Sequence, residues 1–345
     1  MITRVIDRNF ANMRLDRFLR KAFPNEPLST FFAILRKKKV RVNGVHAKAP
    51  QMLREGDTVD IYENFKSLES AHSENSEAKK SWGNAATFAD RNFVSENLNI
   101  ALEKEDFIAI DKPSGIPSQP GTGTRKGESL VEMLWQWGND EHLDFKPTLA
   151  HRIDEETSGL LLAALHGDTL RDLTRMLREH KIQKTYLALV KGNLKKERGT
   201  IRETLERTDS KAGAKMKTGT KEGVSAVTHY ALKERFEGYD LVKINLETGR
   251  MHQIRAHFES IGHPLVGDSR YGDFALNREF KKDFGLKRLF LHSTRLEFEW
   301  KGEHIVVESP LPKELRDVVK ALKKATRHHP QIGSYTSQSS HGRSC

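Results

Sequence analysis

The stretch His151-Arg152-Ile153-Asp154-Glu155-Glu156-Thr157-Ser158-Gly159 runs straight into the apolar residues Leu160-Leu161-Leu162-Ala163-Ala164. An apolar run this short fits a buried strand. A charged loop that feeds a core strand holds its carboxylate and guanidinium at a rigid edge, where functional groups are well positioned. Asp154 is therefore the residue expected to carry covalent chemistry. The segment also reads as an Asx or Thr-Ser turn with a structural Arg–Asp pair, and its residues alone leave both readings open.

Other segments add strands faster than helices. Phe107-Ile108-Ala109-Ile110, Lys184 to Gly192, Ala226 to Leu232 and Leu241 to Leu246 all read as strands. Ser129 to Trp135 reads as a helix, as does Asp168 to His180, where Leu170, Leu173 and Leu177 recur at helical spacing. Strands that follow one another without an intervening helix favour an α+β fold with a mixed, largely antiparallel sheet over a doubly wound parallel one.

Nearer the N-terminus, two short helices are expected around Leu15 to Leu19 and Phe31 to Leu35, with Ser29 as N-cap of the second. A hairpin turns at Asn43-Gly44, and a further strand ends at Tyr62. This small module spans residues 13–63. The segment 64–93 is polar and aperiodic and reads as a linker long enough to let the module search for a partner independently. A second domain spans 94–325, and the Ser-, His- and Gly-rich segment 326–345 reads as a disordered tail. Arg36, Lys37, Lys38, Lys39 and Arg41 crowd the end of the second helix. They suit its dipole as a solvated cap, or they form a phosphate-binding face that counter-charge would stabilise.

A length of 345 residues suggests two domains, and 58 Lys+Arg against 47 Asp+Glu gives a formal charge of +11. Such a balance suits a polyanionic partner, nucleic acid or an anionic membrane. No apolar run approaches the ~20 residues needed to span a bilayer. The segment Met1 to Asp7 lacks a secretory apolar region, and Cys345 is the one cysteine. The expectation is a cytoplasmic, membrane-independent protein, monomeric by default, that works on nucleic acid.

The second dense polar cluster is Thr248 to His257. Ile254, Phe258 and Ile261 give one buried stripe of a helix, with Thr248 as N-cap, Gly262 just beyond the end and Pro264 as the stop. Arg255 then falls at the margin of that stripe, as a partly buried ion pair or a surface residue. His252 and His257 are five apart rather than four, so they do not share a face as paired zinc ligands do, and no metal site is expected. Gly121 to Arg125 lacks both phosphate-loop and dinucleotide patterns, so no nucleotide cofactor is expected either.

Taken together, HRIDEETSG, KTYLALVKG, TGRMHQIRAHFESIGHPLVGDSRYG and RLFLHS resemble the motifs of the RluA-type family of RNA pseudouridine synthases. Residues 13–62 resemble the S4-like RNA-binding domain that many members carry. The likeness covers roughly 13–62 and 98–322. LRKKKVRVNG and RLFLHS look most like members that act on uridines of 23S ribosomal RNA. Ile153 stands where relatives usually have Leu. Ile116-Pro117-Ser118-Gln119-Pro120 stands where they often have a Val-His pair, in a loop that bears on target choice.

The resemblance implies a pseudouridine synthase fold with a catalytic cleft, and a redox-neutral isomerisation that needs no cofactor and no metal. Its partner would be RNA, 23S ribosomal RNA or a large-subunit precursor. It implies Asp154 as the catalytic carboxylate and Tyr186 as ring face for uracil and phenol for proton handling. Arg255 would be the cation that keeps Asp154 ionised against desolvation. The target base must be flipped out, and Arg152 is suited by type to stack or bind phosphate. Arg250 and the 36–41 cations would contact RNA. Other readings are a synthase acting on tRNA, a non-catalytic ribosome-assembly factor and a glycoside hydrolase. The basic charge, and the lack of an aromatic sugar platform near Asp154, argue against the last.

Overall fold

Residues 1–23, 26–63, 90–121, 124–209 and 214–328 are described by the computed structural model. The chain opens with β1 (Ile2–Val5), α1 (Leu15–Ala22), α2 (Leu28–Arg36), β2 (Val40–Val42), β3 (Val45–His46) and β4 (Thr58–Ile61). The strands form an antiparallel sheet in the order β1-β4-β2-β3. Asn43 and Gly44 take positive φ values of 52° and 76°, which suits the right-handed twist of a two-residue hairpin. Leu15 and Leu19 of α1 share one fully buried core with Val40, Leu53, Val59 and Ile61. Two expectations need adjustment. α2 starts at Leu28 behind Pro27, whose fixed φ suits a helix entry, so Ser29 lies inside the first turn rather than capping it. The sheet also recruits β1, ahead of residue 13.

Three helices and five strands follow: α3 (Arg91–Asn97), β5 (Ile100–Glu103), β6 (Phe107–Lys112), α4 (Leu130–Asp140), β7 (Thr148–Leu149), β8 (Ser158–Ala164), α5 (Gly167–Arg178) and β9 (Gln183–Lys191). Next come β10 (Arg198–Thr208), β11 (Lys215–Thr218), β12 (Val224–Phe236), β13 (Tyr239–Leu246), α6 (Gln253–Ser260), α7 (Phe274–Phe284), β14 (Leu291–Trp300), β15 (Glu303–Glu308) and α8 (Lys313–His328). The expected linker lies outside the described residues up to 89, and its last residues enter α3. The expected tail lies outside them from 329, and α8 carries the chain through His328.

The described residues divide into two bodies, one of Met1–Tyr186 with His292–Ser309, the other of Leu187–Leu291 with 310–328. In the first, β8 is buried at every position. It pairs antiparallel with β6 and β7, and parallel with β14 at His292↔Ser158 and Ser293↔Gly159. Burying Leu160 and Leu162 against Phe107, Leu173 and Leu296 contributes roughly 1.5–3 kcal/mol per side chain. In the second, β10, β11, β12 and β13 pair antiparallel throughout, and α7 and α8 pack Phe280, Leu315 and Val318 on Leu189 and Leu241. The result is the α+β class with a mixed, largely antiparallel sheet.

The N-terminal module is not left to search alone. Arg8 pairs with Asp106 and, through Nε, with Asp168 at 2.8 Å, while the Gly167 N–H donates to Asn9 Oδ1 at 3.0 Å. Arg171 reaches the Ala11 carbonyl. Asp106 also accepts from Trp300 Nε1 at 2.9 Å and pairs with Lys301 at 2.7 Å. Burial alone would raise the Asp106 carboxyl, but the bonds from Lys301, Trp300 and Arg8 outweigh it and bring it to about 2. Sequence reading missed this clip because its partners lie about a hundred or more residues from Arg8.

Candidate active site

The loop before β8 is anchored on both sides of Asp154. Ser118 Oγ donates to the Ile153 carbonyl at 2.6 Å and accepts from the Ile153 N–H at 3.2 Å. The Gly115 N–H donates to the Glu155 carbonyl at 2.8 Å, and Ser114 Oγ to the Glu156 carbonyl at 2.7 Å. The Thr157 N–H closes a turn onto the Asp154 carbonyl at 3.1 Å. Beneath the loop, the fully buried Lys112 donates to the carbonyls of Pro113 (2.8 Å), Ile116 (2.7 Å) and Glu155 (3.0 Å). Segment 112–118 is therefore a brace for the Asp154 loop. Ile153, Thr157 and Ser158 are buried, Asp154 is partly exposed and Arg152 is exposed.

Gly159 answers a spatial demand. Its φ is +107°, and a Cβ there would overlap the Ser293 carbonyl of the parallel neighbour β14. Ser158 Oγ bonds His292 Nδ1 at 2.9 Å, and Ser293 Oγ donates to the Leu160 carbonyl at 3.0 Å. His151 bonds into β8. Its Nε2 accepts the Leu162 N–H at 3.2 Å, and burial, with help from the Lys184 charge, lowers the imidazole to about 3, so it stays neutral.

Tyr186, on β9, is buried. Burial pushes its phenol well above the usual range; a hydrogen bond with Ser293 opposes this, and the negative charge of Asp154 adds to it. The phenol is thus a neutral donor at neutral pH, close enough to Asp154 to feel its charge. On the same face of β9, the ammonium of the half-buried Lys184 is lowered by burial.

In the second body, Arg255 lies on α6 with 2% of its surface exposed. Its Nε donates to Asp268 Oδ2 at 2.7 Å and its Nη2 to Asp268 Oδ1 at 2.8 Å, a two-pronged pair. Burial would raise Asp268, but Arg255, joined by the N–H groups of Tyr271 and Arg270, lowers it below the usual carboxylate range. Here the expected helix is corrected. α6 begins at Gln253, after His252 in the left-handed region (φ 52°), because Thr248 Oγ1 is spent on Gln253 Oε1 at 2.7 Å instead of capping. Residues 253–258 are all buried, while Ile261 is exposed, so Arg255 is interior rather than marginal. Gly262 takes the expected left-handed position with φ 79°. Among the described residues, no group of three or more His, Cys, Asp or Glu could hold a metal ion.

Three kinds of likeness bear on this arrangement. The RNA pseudouridylate synthase family model matches residues 106–260, and the S4 domain model matches 13–59. Ribosomal large subunit pseudouridine synthase C of Pasteurella multocida (strain Pm70) is 32% identical over 322 residues, covering 92% of this chain and 93% of its own. The protein of the same name from Escherichia coli (strain K12) is 33% identical over 318 residues, covering 91% and 94%. The chain belongs to the RNA pseudouridylate synthase family. Among solved structures, human RNA pseudouridylate synthase domain containing 4 superposes with a TM-score of 0.55 at 21% identity, over 65% of this chain and 93% of its own, a likeness of fold.

The pseudouridine synthase thus carries an S4 domain in which the five expected cations differ in state. Arg36, Lys37 and Lys38 are exposed, Lys39 pairs with Glu63 at 2.6 Å, and Arg41 lies 5.2 Å from the centre of the Tyr62 ring. Arg250 is exposed just before α6. Sequence reasoning missed Lys112, Ser293 and Asp268. A visible signal existed for Asp268, an acid between Gly267 and Gly272 in GDSRYG, but none for Lys112, whose ligands are backbone carbonyls.

Proposed function

We propose that this RNA pseudouridine synthase isomerises specific uridines of the large-subunit 23S ribosomal RNA, with Asp154 as the catalytic carboxylate. The observation that supports Asp154 most is its anchored loop beside a buried, neutral Tyr186 phenol that senses its charge. The relatives' names, ribosomal large subunit pseudouridine synthase C, support the choice of RNA. The reaction breaks the N1–C1′ bond, turns the uracil and joins C5 to C1′, with the C5 proton lost and N1 protonated. A carboxylate suits the sugar- or base-directed step, as in glycosyl transfer. Tyr186 offers uracil a ring face and holds its own proton. The motif likeness assigns Arg255 to keeping Asp154 ionised, and Arg152, beside Asp154, is suited by type to fill the space left by the flipped nucleotide. Arg250 and the S4-domain cations Arg36, Lys37, Lys38, Lys39 and Arg41 would hold RNA phosphates. The same reading makes the enzyme a cytoplasmic monomer.

Pseudouridine mapping in 23S ribosomal RNA and tRNA, from cells lacking the gene and complemented with wild type or Asp154→Asn, tests this. Loss at defined 23S positions, restored by wild type and not by Asp154→Asn, is expected. Loss confined to tRNA, or restoration by the Asn variant, would overturn it.

A further inference from the structure

In the second body, a concavity of about 320 Å³ opens beside α7. Its floor includes Asn277 and the buried Leu286, and its rim carries Phe274, Arg278, Lys281 and Lys287. Phe274, Arg278 and Lys281 stand at i, i+4 and i+7, so they share one helix face. Phe274 is 60% exposed, which leaves its ring face open to stacking by a base. The three cations are exposed and have no carboxylate partner among the described residues. Of the acids of α7 and its cap, Asp273 caps the helix and pairs with Lys191 at 2.6 Å, Glu279 acts on Tyr239, and Asp283 stands nine residues beyond Phe274, half a turn round the helix from its ring. Asn277 ties the floor to the support of Arg255, because it accepts from the Gly267 N–H and donates to the Asp268 carbonyl, both at 2.8 Å.

We propose that this concavity seats a single-stranded RNA nucleotide, with its base stacked on Phe274 and its phosphates held by Arg278, Lys281 and Lys287. The inference rests on RNA as the substrate, and it adds a second contact point away from the reacting uridine. The volume suits one nucleotide, and an aromatic face ringed by cations is the usual platform for unpaired bases. A nucleotide held here would brace the loop that carries Asp268, and through it the plane of the Arg255 guanidinium.

Phe274→Trp adds a fifth tryptophan, read as a difference from wild type on addition of a short oligouridylate. Strong quenching is expected. Arg278→Glu/Lys281→Glu/Lys287→Glu should weaken oligouridylate affinity at least tenfold and lower the slope of log affinity against log salt by about 2, three single-strand phosphate contacts at roughly 0.7 each. A charge-matched control, Lys313→Glu/Lys320→Glu/Lys323→Glu, changes lysines that already sit on Asp317 and Glu234. It should stay within about twofold of wild type. Absence of quenching, equal weakening by the control, or reversal of quenching by inorganic phosphate alone would overturn the proposal. Pseudouridine formation in 23S RNA by wild type is scored separately. Its absence would remove the functional reading, whereas turnover with unaltered oligouridylate binding in the triple variant would remove the nucleotide seat alone.

Discussion

Lys112 and Arg255 are both buried, one in each body, and they are accommodated in opposite ways. Lys112 rests on the neutral carbonyls of Pro113, Ile116 and Glu155. Arg255 rests on a carboxylate, Asp268, through two parallel bonds. The ammonium is a compact charge with three donors that can gather carbonyls from its own segment and from a residue 43 positions along the chain, so it shapes backbone. The guanidinium is a flat fork whose plane is set by its carboxylate, so it is itself the thing positioned. A cation can therefore organise a site from below or be presented to one, and its ligands tell which.

The comparison breaks first under truncation. Lys112→Met orphans the Pro113 and Ile116 carbonyls, each worth roughly 1–3 kcal/mol when buried unsatisfied, and leaves Glu155 with the Gly115 N–H alone, so a loss of about 4 kcal/mol is expected in urea unfolding. Pseudouridine formation should fall with it, since the Asp154 loop loses its brace. Arg255→Met leaves Asp268 buried without its counter-charge, at about 3 kcal/mol, softened by the remaining N–H donors of Arg270 and Tyr271. Acid separates the two. Asp268 is lowered in the folded state, so its stabilisation is complete above its unfolded value near 3.8 and is lost as pH falls through the folded value. The deficit of Arg255→Met relative to wild type should shrink as pH falls through the carboxylate range, because the stranded carboxyl can then protonate. The Lys112→Met deficit should not. Equal pH dependence of the two would erase the distinction.

Much of this was legible in the chain, and the failures share a cause. β8, α4 and α5 were readable because apolar spacing is local: Leu170, Leu173 and Leu177 face one core. The Asn43-Gly44 turn was readable because a positive φ restricts the residue types that fit. The start of α6 was misplaced because Thr248 has the chemistry of a cap but donates to Gln253 instead. The Asp154 loop was visible as a dense polar stretch, yet its brace was not, because carbonyls carry no sequence signature. β10 escaped notice because its solvent face interrupts the apolar positions with Arg198, Arg202 and Glu206, leaving Ile201 and Leu205 as isolated buried points.

A third cation, Arg8, lies between the two extremes, part-exposed and hydrogen-bonded to two carboxylates, with Glu105 a third at 3.8 Å. It offers a smaller effect. A Cβ on residue 167 would overlap the Asn9 carbonyl, so Gly167→Ala should loosen this clip by about 1–2 kcal/mol. Hydrogen exchange would report it as faster exchange at the residue 167 amide, which bonds Asn9. Because Asp106 is lowered to about 2, its contribution is complete above about 3.8 and disappears as pH falls towards 2. Exchange there should therefore be insensitive to pH-driven opening above about pH 4, once corrected for intrinsic rates.

The smallest effect on stability is expected where cations have no buried ligands at all. Arg36, Lys37 and Lys38 are exposed at the end of α2, and relieving their mutual repulsion offsets what the helix dipole loses. Arg36→Gln/Lys37→Gln/Lys38→Gln should leave the unfolding midpoint within about 0.5 kcal/mol of wild type. The same variant should weaken ribosomal RNA binding and flatten its salt dependence by about 2–3 in log–log slope, one increment per lost phosphate contact. Lys39 and Arg41 serve as internal controls, since Lys39 is paired with Glu63 and Arg41 is stacked on Tyr62. Lys39→Gln should therefore cost some stability as well as affinity. If the triple variant lost stability but kept its salt slope, the run would be a helix cap rather than an RNA face. The graded series from Lys112 to Lys38 would then describe burial alone, with no bearing on function at its exposed end.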